Sequence, residues 1–350
     1  MSNTFPYGNS IEAAAAEPER PEEEPVKKRR VRIKLQDAPP VKSISDLIEL
    51  GRSMKFYRNL DSITLWKVTP YLEELDRMVG MKSVKETVFY QVLYYLQGMH
   101  TRNSEGEYLH TAIYGPPGCG KTSVAEIIGK IYHALNILPS APGTEPEIKK
   151  IGREDFVAGF LGQTSEKTRK FLKGCIGSVV VFDEIYSLAP RDKDRDSFAK
   201  EAIDTLNRFL SEHKNDFCFI IAGYEEEVIN CFFAMNKGLK RRFPWIHRIE
   251  PYTYEEMAEI FILMIGKIGW STSFSKTFMT SVFRENKDLF RYSGGDIETF
   301  LSKCKIMHSR RVFSLPAKNR FVLSEEDVRD ALKIIRLHDI IDLPPPGMYA

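Results

Sequence analysis

The stretch Gly115-Pro116-Pro117-Gly118-Cys119-Gly120-Lys121-Thr122 constrains this chain more than any other, because it fits the spacing GxxxxGK[ST]. At ordinary residue usage such a match arises by chance in a chain of 350 residues about once in a hundred. Context narrows it further: a short apolar run, Ala112-Ile113-Tyr114, comes before, and an amphipathic pattern from Thr122 to Leu135 follows. Strand, glycine-rich turn and helix are the elements a phosphate-binding loop needs. Gly115, Gly118 and Gly120 let the backbone curl so that its N–H groups converge on phosphate oxygens. The start of the following helix adds the positive end of its dipole. Lys121 supplies charge for the β- and γ-phosphates, and the Thr122 hydroxyl is placed to ligate Mg²⁺.

Val179-Val180-Val181-Phe182 followed by Asp183-Glu184 reads as the second half of the same site. A buried strand ending in two acids delivers them to the crevice at the C-terminal edge of a parallel sheet. Asp183 can hold the Mg²⁺ shell, while Glu184, one residue on, faces differently and can orient and polarise a water. The two segments together imply a nucleoside-triphosphate hydrolase, and the Asp-Glu pair favours ATP hydrolysis over binding alone.

The surrounding pattern is that of a parallel α/β sheet. Short apolar runs at Thr111–Tyr114, Ile148–Ile151, Val179–Phe182, Phe217–Ala222 and Ile246–Ile249 alternate with amphipathic stretches. Beyond Glu250 the sequence suggests helices alone: Tyr254–Ile268, Lys276–Glu285, Asp296–Arg310 and Glu325–Leu337, the last entered through a capping-box-like Ser324 to Asp327. The expected division is a charged, disordered tail over 1–42, a helical N-terminal linker over 43–108, the α/β domain over 109–250, a small all-helical domain over 251–338, and a Pro-rich tail over 339–350. Helical spacing in the linker shows at Ser45–Leu50 and again through Val84, Val88, Val92 and Leu96.

Composition removes several classes. Fifty Lys and Arg against 48 Asp and Glu leave a net charge of +2, so no global field demands nucleic acid or an anionic membrane. Five scattered cysteines form neither a CxxC pair nor a zinc spacing. The longest apolar run, Ile260–Ile265, is far short of the ~20 residues of a membrane span. With no secretory h-region near the start, the expectation is a soluble intracellular protein. The basic run Lys27–Lys34 fits a nuclear-import signal or a patch for an anionic partner, but reads more readily as a solvated linker balanced by Glu22, Glu23 and Glu24, so cytoplasm and nucleus stay open.

From Leu75 to Leu337 the sequence resembles the AAA+ ATPases, whose P-loop NTPase sheet is followed by a helical lid. Leu75–Lys82 looks like the family's opening segment, which puts Val79 and Gly80 beside adenine. Arg153–Thr168 is similar to the first pore loop and its helix, with Phe160, Leu161 and Gly162 at the tip. Asp183–Pro190 resembles the extended Walker B segment. Ile221–Tyr224 and Asn236–Pro244 look like the subgroup containing the rubisco-remodelling CbbX and the sporulation protein SpoVK. Arg241-Arg242 and Tyr292–Asp296 lean toward the Vps4/katanin kind, and divergent members in large DNA viruses look similar. The resemblance implies bound ATP and Mg²⁺ and a homo-oligomeric ring, a hexamer in most members. It implies Arg242, with Arg241, as the finger reaching a neighbour's γ-phosphate, and a protein client threaded through the pore. Two departures stand out. Tyr224 occupies the place of a polar γ-phosphate sensor, and Gly295 that of a lid arginine. A nucleic-acid motor or loader, and a nucleotide-dependent scaffold with slow turnover, remain alternatives.

Overall fold

A computed structural model describes residues 35–102, 107–138, 148–160, 162–189, 197–291, 294–316 and 319–341. The expected tail up to residue 34, Leu161 of the expected pore loop and the Pro-rich stretch from residue 342 lie outside them. The chain is anchored earlier than the expected tail boundary at residue 42. Gln36 bridges Tyr57, its carbonyl accepts from the Arg58 N–H at 3.0 Å, and the Ala38 N–H donates to Asn59 Oδ1 at 2.8 Å.

Three helices follow: α1 (Ile44–Arg52), α2 (Ser62–Asp76) and α3 (Lys82–Leu96). Each of the first two starts where a side chain can take up orphan N–H groups. Ser43 and Asp46 form a reciprocal capping box, and Asp61 accepts from the N–H groups of Ile63 and Thr64. The segment expected as a linker is therefore helical, but it does not merely connect. Leu47, Leu72 and Val88 share one apolar core with Ile113, Val181 and Ile220 of the sheet, so these helices form a covering layer.

The α/β unit runs β1 (Thr111–Tyr114), α4 (Lys121–Ala134), β2 (Ile148–Ile151), α5 (Arg153–Phe156), α6 (Thr164–Lys173), β3 (Val179–Phe182), α7 (Ser197–Glu212), β4 (Cys218–Gly223), α8 (Glu225–Glu227) and β5 (Trp245–Arg248). The strands lie in the order β2-β3-β4-β1-β5, and every pairing is parallel. Both faces are covered, which is why β3 and β4 read as unbroken apolar runs. Val179 and Val181 enter the core under α1–α4, while Val180 and Phe182 enter the second core with Phe156, Leu172 and Leu206. Because all strands point one way, the loops after β1, β3 and β4 open on the same edge.

The C-terminal part holds α9 (Tyr254–Lys267), α10 (Lys276–Glu285), α11 (Gly294–Val312) and α12 (Glu325–Ile341) around Phe261, Met279, Phe283 and Phe300. The all-helical expectation needs a correction. Two-residue strands β6 (Ser271–Thr272) and β7 (Val322–Leu323) pair in parallel, with the Ser271 N–H donating to the Phe321 carbonyl at 3.0 Å. A strand of two residues carries no alternation, so periodicity misses it. Helix α12 also continues past residue 338, into the segment expected as tail. Among the described residues no helix is long and apolar enough to cross a membrane.

Candidate functional site

The loop between β1 and α4 takes a left-handed backbone at Gly118 (φ 67°) and Gly120 (φ 87°), conformations that only glycine adopts without strain. Gly120 is the N-cap of α4 and offers no side-chain acceptor, so the first N–H groups of the helix are left for another partner. Lys121, the first residue of α4, is buried. Its Nζ donates to the carbonyls of Gly115 (3.1 Å) and Pro116 (2.8 Å) and stands 4.6 Å from the ring centroid of Tyr224. A buried ammonium held by carbonyls and a ring is a charge in want of an anion. The next residue, Thr122, donates its hydroxyl directly to Asp183 Oδ2, so a hydroxyl and a carboxylate oxygen converge on one point.

Asp183 and Glu184 leave β3 together and then part company. Asp183 is half-buried and accepts the Glu184 N–H on Oδ1 at 2.9 Å; Glu184 is exposed, with a left-handed φ of 53°. Beside them Tyr186 stacks on Tyr224 with ring centroids 5.5 Å apart and planes 20° apart. Burial pushes the Tyr186 hydroxyl up from its ordinary range, and the charge of Glu184 pushes it further. The donor set suits a triphosphate and its metal: backbone N–H groups and an ammonium for anionic oxygens, Thr122 and Asp183 oxygens for a hard cation.

Val79 and Gly80 lie in the turn between α2 and α3, and neighbours of that turn reach the loop. A Cβ built on Gly120 would come within 3.4 Å of the Met81 methyl and 3.6 Å of the Met78 methyl, while one on Gly80 would come within 3.0 Å of Glu256 Oε1. The Tyr252 hydroxyl donates to the Cys119 carbonyl at 2.9 Å. From the other side, a Cβ on Gly294 at the start of α11 would stand 2.1 Å from the Gly118 carbonyl oxygen, so nothing larger than glycine fits there. At Gly295 the space is open, and the approach to the loop is made by backbone one residue earlier. Cys119 is buried, and burial raises its thiol despite the opposing pull of Lys121, which fits a small filler and not a reactive thiolate.

Arg242 and Arg241 have different surroundings. Arg242 is only 8% exposed, and its Nε donates to Ser211 Oγ at 2.7 Å while Nη1 donates to the Gly238 carbonyl. Burial lowers its pKa, and its charge acts on His110, the residue before β1, at the sheet edge opposite the phosphate loop. Arg241, one residue earlier in the same 3₁₀ turn, is exposed. Phe160 is 73% exposed, and Gly162 is exposed as well. The structure thus brings Gly115–Thr122, Asp183, Glu184 and Tyr224 together, with Val79 and Gly80 in the turn next to them. No contact among the described residues joins Arg241, Arg242 or Phe160 to that cluster. Sequence reasoning missed Tyr186, Tyr252, Met78, Met81 and Gly294. Of these, Tyr186 stands two places past Glu184, Met78 and Met81 flank Val79 and Gly80, and Gly294 precedes Gly295, so Tyr252 alone lay apart from any motif.

Residues 111–242 match the family described as ATPase family associated with various cellular activities (AAA). A putative cfxQ-like protein of Acanthamoeba polyphaga mimivirus is 38% identical over 276 residues, which cover 77% of this chain and 66% of that protein. The ESX-2 secretion system protein EccA2 of Mycobacterium tuberculosis is 36% identical over 194 residues, 54% of this chain and 30% of its own. Stage V sporulation protein K of Bacillus subtilis is 34% identical over 206 residues, 57% of this chain and 61% of its own. The chain thus spans less than two thirds of the length of these relatives. Among solved structures, the FIGL-1 AAA domain in complex with ADP superposes with a TM-score of 0.53 over 74% of this chain and 83% of that one; at 16% identity the likeness is one of fold.

Proposed function

We propose that the protein, whose residues 111–242 match the AAA ATPase family, hydrolyses ATP with Mg²⁺ as an assembled ring, a hexamer by analogy, and uses turnover to remodel a protein partner. The carrying observation is the buried Lys121 ammonium beside the converging Thr122 hydroxyl and Asp183 carboxylate. Lys121 leaves two backbone carbonyls for the substrate's β- and γ-phosphates, and the N–H groups at the start of α4 take the remaining oxygens. Thr122 and Asp183 would hold Mg²⁺, which when bound neutralises phosphate charge. Glu184, exposed next to Asp183, takes a proton from the attacking water.

Arg241 is the arginine available to complete a neighbour's site, since Arg242 is committed to Ser211 and Gly238. The exposed Phe160, between Gly159 and Gly162, supports a grip on an extended chain, and the secretion-system and sporulation relatives are consistent with work on proteins. The test is binding and turnover of Mg-ATP across protein concentration. Lys121→Ala is expected to lose binding, and Glu184→Gln to bind without turnover. Arg241→Ala is expected to lose about 10³-fold in kcat at unchanged thermal stability. Turnover per chain that stays flat with concentration removes the ring; turnover stimulated by DNA and not by unfolded protein transfers the reading to nucleic acid.

A further inference from the structure

Two helices that both cover the sheet present very different faces to solvent. Helix α7 turns Ala199, Ala202, Ile203 and Leu206 inward and exposes Ser197, Lys200, Asp204, Arg208 and Glu212, all polar. Helix α2 buries Leu65, Val68, Leu72 and Leu75 by the same helical spacing. Yet the residues it exposes are Ile63, Trp66, Lys67 and Pro70, which at that spacing form one stripe.

The loop before α2 extends the stripe. The Tyr57 N–H donates to Ser62 Oγ at 3.0 Å, which ties this loop to the first turn of the helix, and the loop carries the exposed Met54 and Phe56. Met54, Phe56, Ile63 and Trp66 are 67, 63, 56 and 52% exposed. Single exposed apolar side chains are ordinary, but several in one place mark an interaction surface. At such exposure the side chains protrude; they do not line a groove. A partner helix needs a groove for its apolar face, whereas protruding rings and aliphatic chains suit a soft surface into which they can sink.

Charge says which surface. Lys55, Arg58 and Lys67, all exposed, are interleaved with those apolar residues. The neighbouring acids are already engaged: Asp37 faces Arg58 at 3.2 Å, and Asp61 accepts from the N–H groups of Ile63 and Thr64. Six of the eight residues from Lys27 to Lys34 are Lys or Arg. That run is joined through Leu35 to Gln36, whose carbonyl accepts from the Arg58 N–H at 3.0 Å. Aromatic side chains among lysines, with a polybasic run next to them in the chain, supply the two kinds of attraction that hold a protein on an anionic bilayer.

We propose that this face, Met54, Phe56, Ile63 and Trp66 with Lys55 and Lys67, docks on a membrane surface rich in anionic lipid. Phe56 and Trp66 sink to headgroup depth, the lysines keep their ammonium groups among lipid phosphates, and the basic run adds attraction that salt screens. None of these residues belongs to the phosphate site, so docking is independent of nucleotide turnover.

The experiment is cosedimentation of the full chain with vesicles of phosphatidylcholine, alone or with about one third phosphatidylserine, at low and high salt. The expected result is sedimentation with the anionic vesicles at low salt, little with the neutral ones, and release at high salt. Phe56→Ser with Trp66→Ser should weaken binding by about tenfold or more at an unchanged thermal midpoint. Vesicles with brominated acyl chains should quench tryptophan emission in the parent and not in Trp66→Phe, which separates insertion from adhesion by charge alone. Should the serine variant lower the thermal midpoint, Lys55→Glu with Lys67→Glu tests the same face by charge, with about fivefold weaker binding expected per residue. Failure to sediment with anionic vesicles at low salt overturns the proposal. So does binding that neither the serine nor the glutamate variant weakens, or quenching that persists without Trp66. A chain that ignores vesicles but forms a larger species as concentration rises, lost in the serine variant, gives the face to a second copy and overturns it as well.

Discussion

Asp327 in the helical part and His247 on β5 are buried to the same depth, yet they keep opposite company. Asp327 accepts from Arg311 Nε (2.7 Å) and Nη2 (2.9 Å), from the Ser324 N–H (2.8 Å) and hydroxyl (3.0 Å), and faces His308 Nδ1 at 3.0 Å. Burial alone would raise its carboxyl; these donors outweigh that and hold it below the usual range. His247 has no hydrogen-bond partner on either ring nitrogen among the described residues, and burial pushes it down to about 4. His110, just ahead of β1, accepts one N–H from Phe219 at 3.2 Å, leaves its other nitrogen without a hydrogen-bond partner among the described residues, and is pushed down to about 3. Burial depth is thus no guide to what a polar side chain does for stability. The helical part is fastened by a satisfied ionic cluster, whereas the sheet carries imidazoles that are tolerated because they stay neutral.

The comparison breaks most readily at Asp327. Asp327→Asn leaves the half-buried Arg311 and Ser324 and the buried His308 facing a weaker acceptor, and should cost about 3 kcal/mol or more in urea unfolding. A loss under about 1 kcal/mol would erase the contrast. Acid should act on the sheet next. Because His247 and His110 have folded-state values below the unfolded ~6.5, the unfolded chain takes up their protons first as pH falls. Stability should therefore hold above pH 7 and decline from about 6.5 downward, by about 2 kcal/mol per histidine at pH 5. Denaturant midpoints at pH 7.5 and 5.0 measure it. His247→Leu sharpens the point: it should gain about 1 kcal/mol at pH 7 and flatten the acid slope by one proton. A destabilised variant would show that the ring does have a partner. The smallest change belongs to neither core: Phe160→Ala should stay within about 0.5 kcal/mol of the parent. A loss of ~3 kcal/mol would place that ring in a core and take away the support for a grip on client chain.

Legibility in the sequence followed the distance over which each feature is decided. The phosphate loop and Asp183-Glu184 could be read because glycine spacing, a preceding strand and a following helix act within a few residues of each other. The strand and helix runs of the α/β unit were legible for the same reason, and the capping box at Ser324 is present as expected, with Ser324 and Asp327 bonded to each other. Arg241 and Arg242 could not be told apart. Successive residues of a 3₁₀ turn point about 120° away from each other, and which one is buried depends on Ser211 at the end of α7. The Tyr186 stack depends on Tyr224, which follows another strand. The cover formed by α1–α3 escaped because amphipathic spacing shows that a helix has an apolar face without showing what that face meets.

Two neighbouring contacts have mechanical weight. The carbonyls of Gly118 and Cys119 are adjacent in the chain, and one abuts Gly294 at the head of α11 while the other accepts from Tyr252, just ahead of α9. The loop between β1 and α4 thus meets the helical part at two adjacent points. Helix α11 has 19 residues, roughly 28 Å at the usual rise, so a tilt of about 10° at Gly294 carries its far end by about 5 Å. A small change of angle where α11 meets the loop would therefore be felt as several ångströms at the helix's other end.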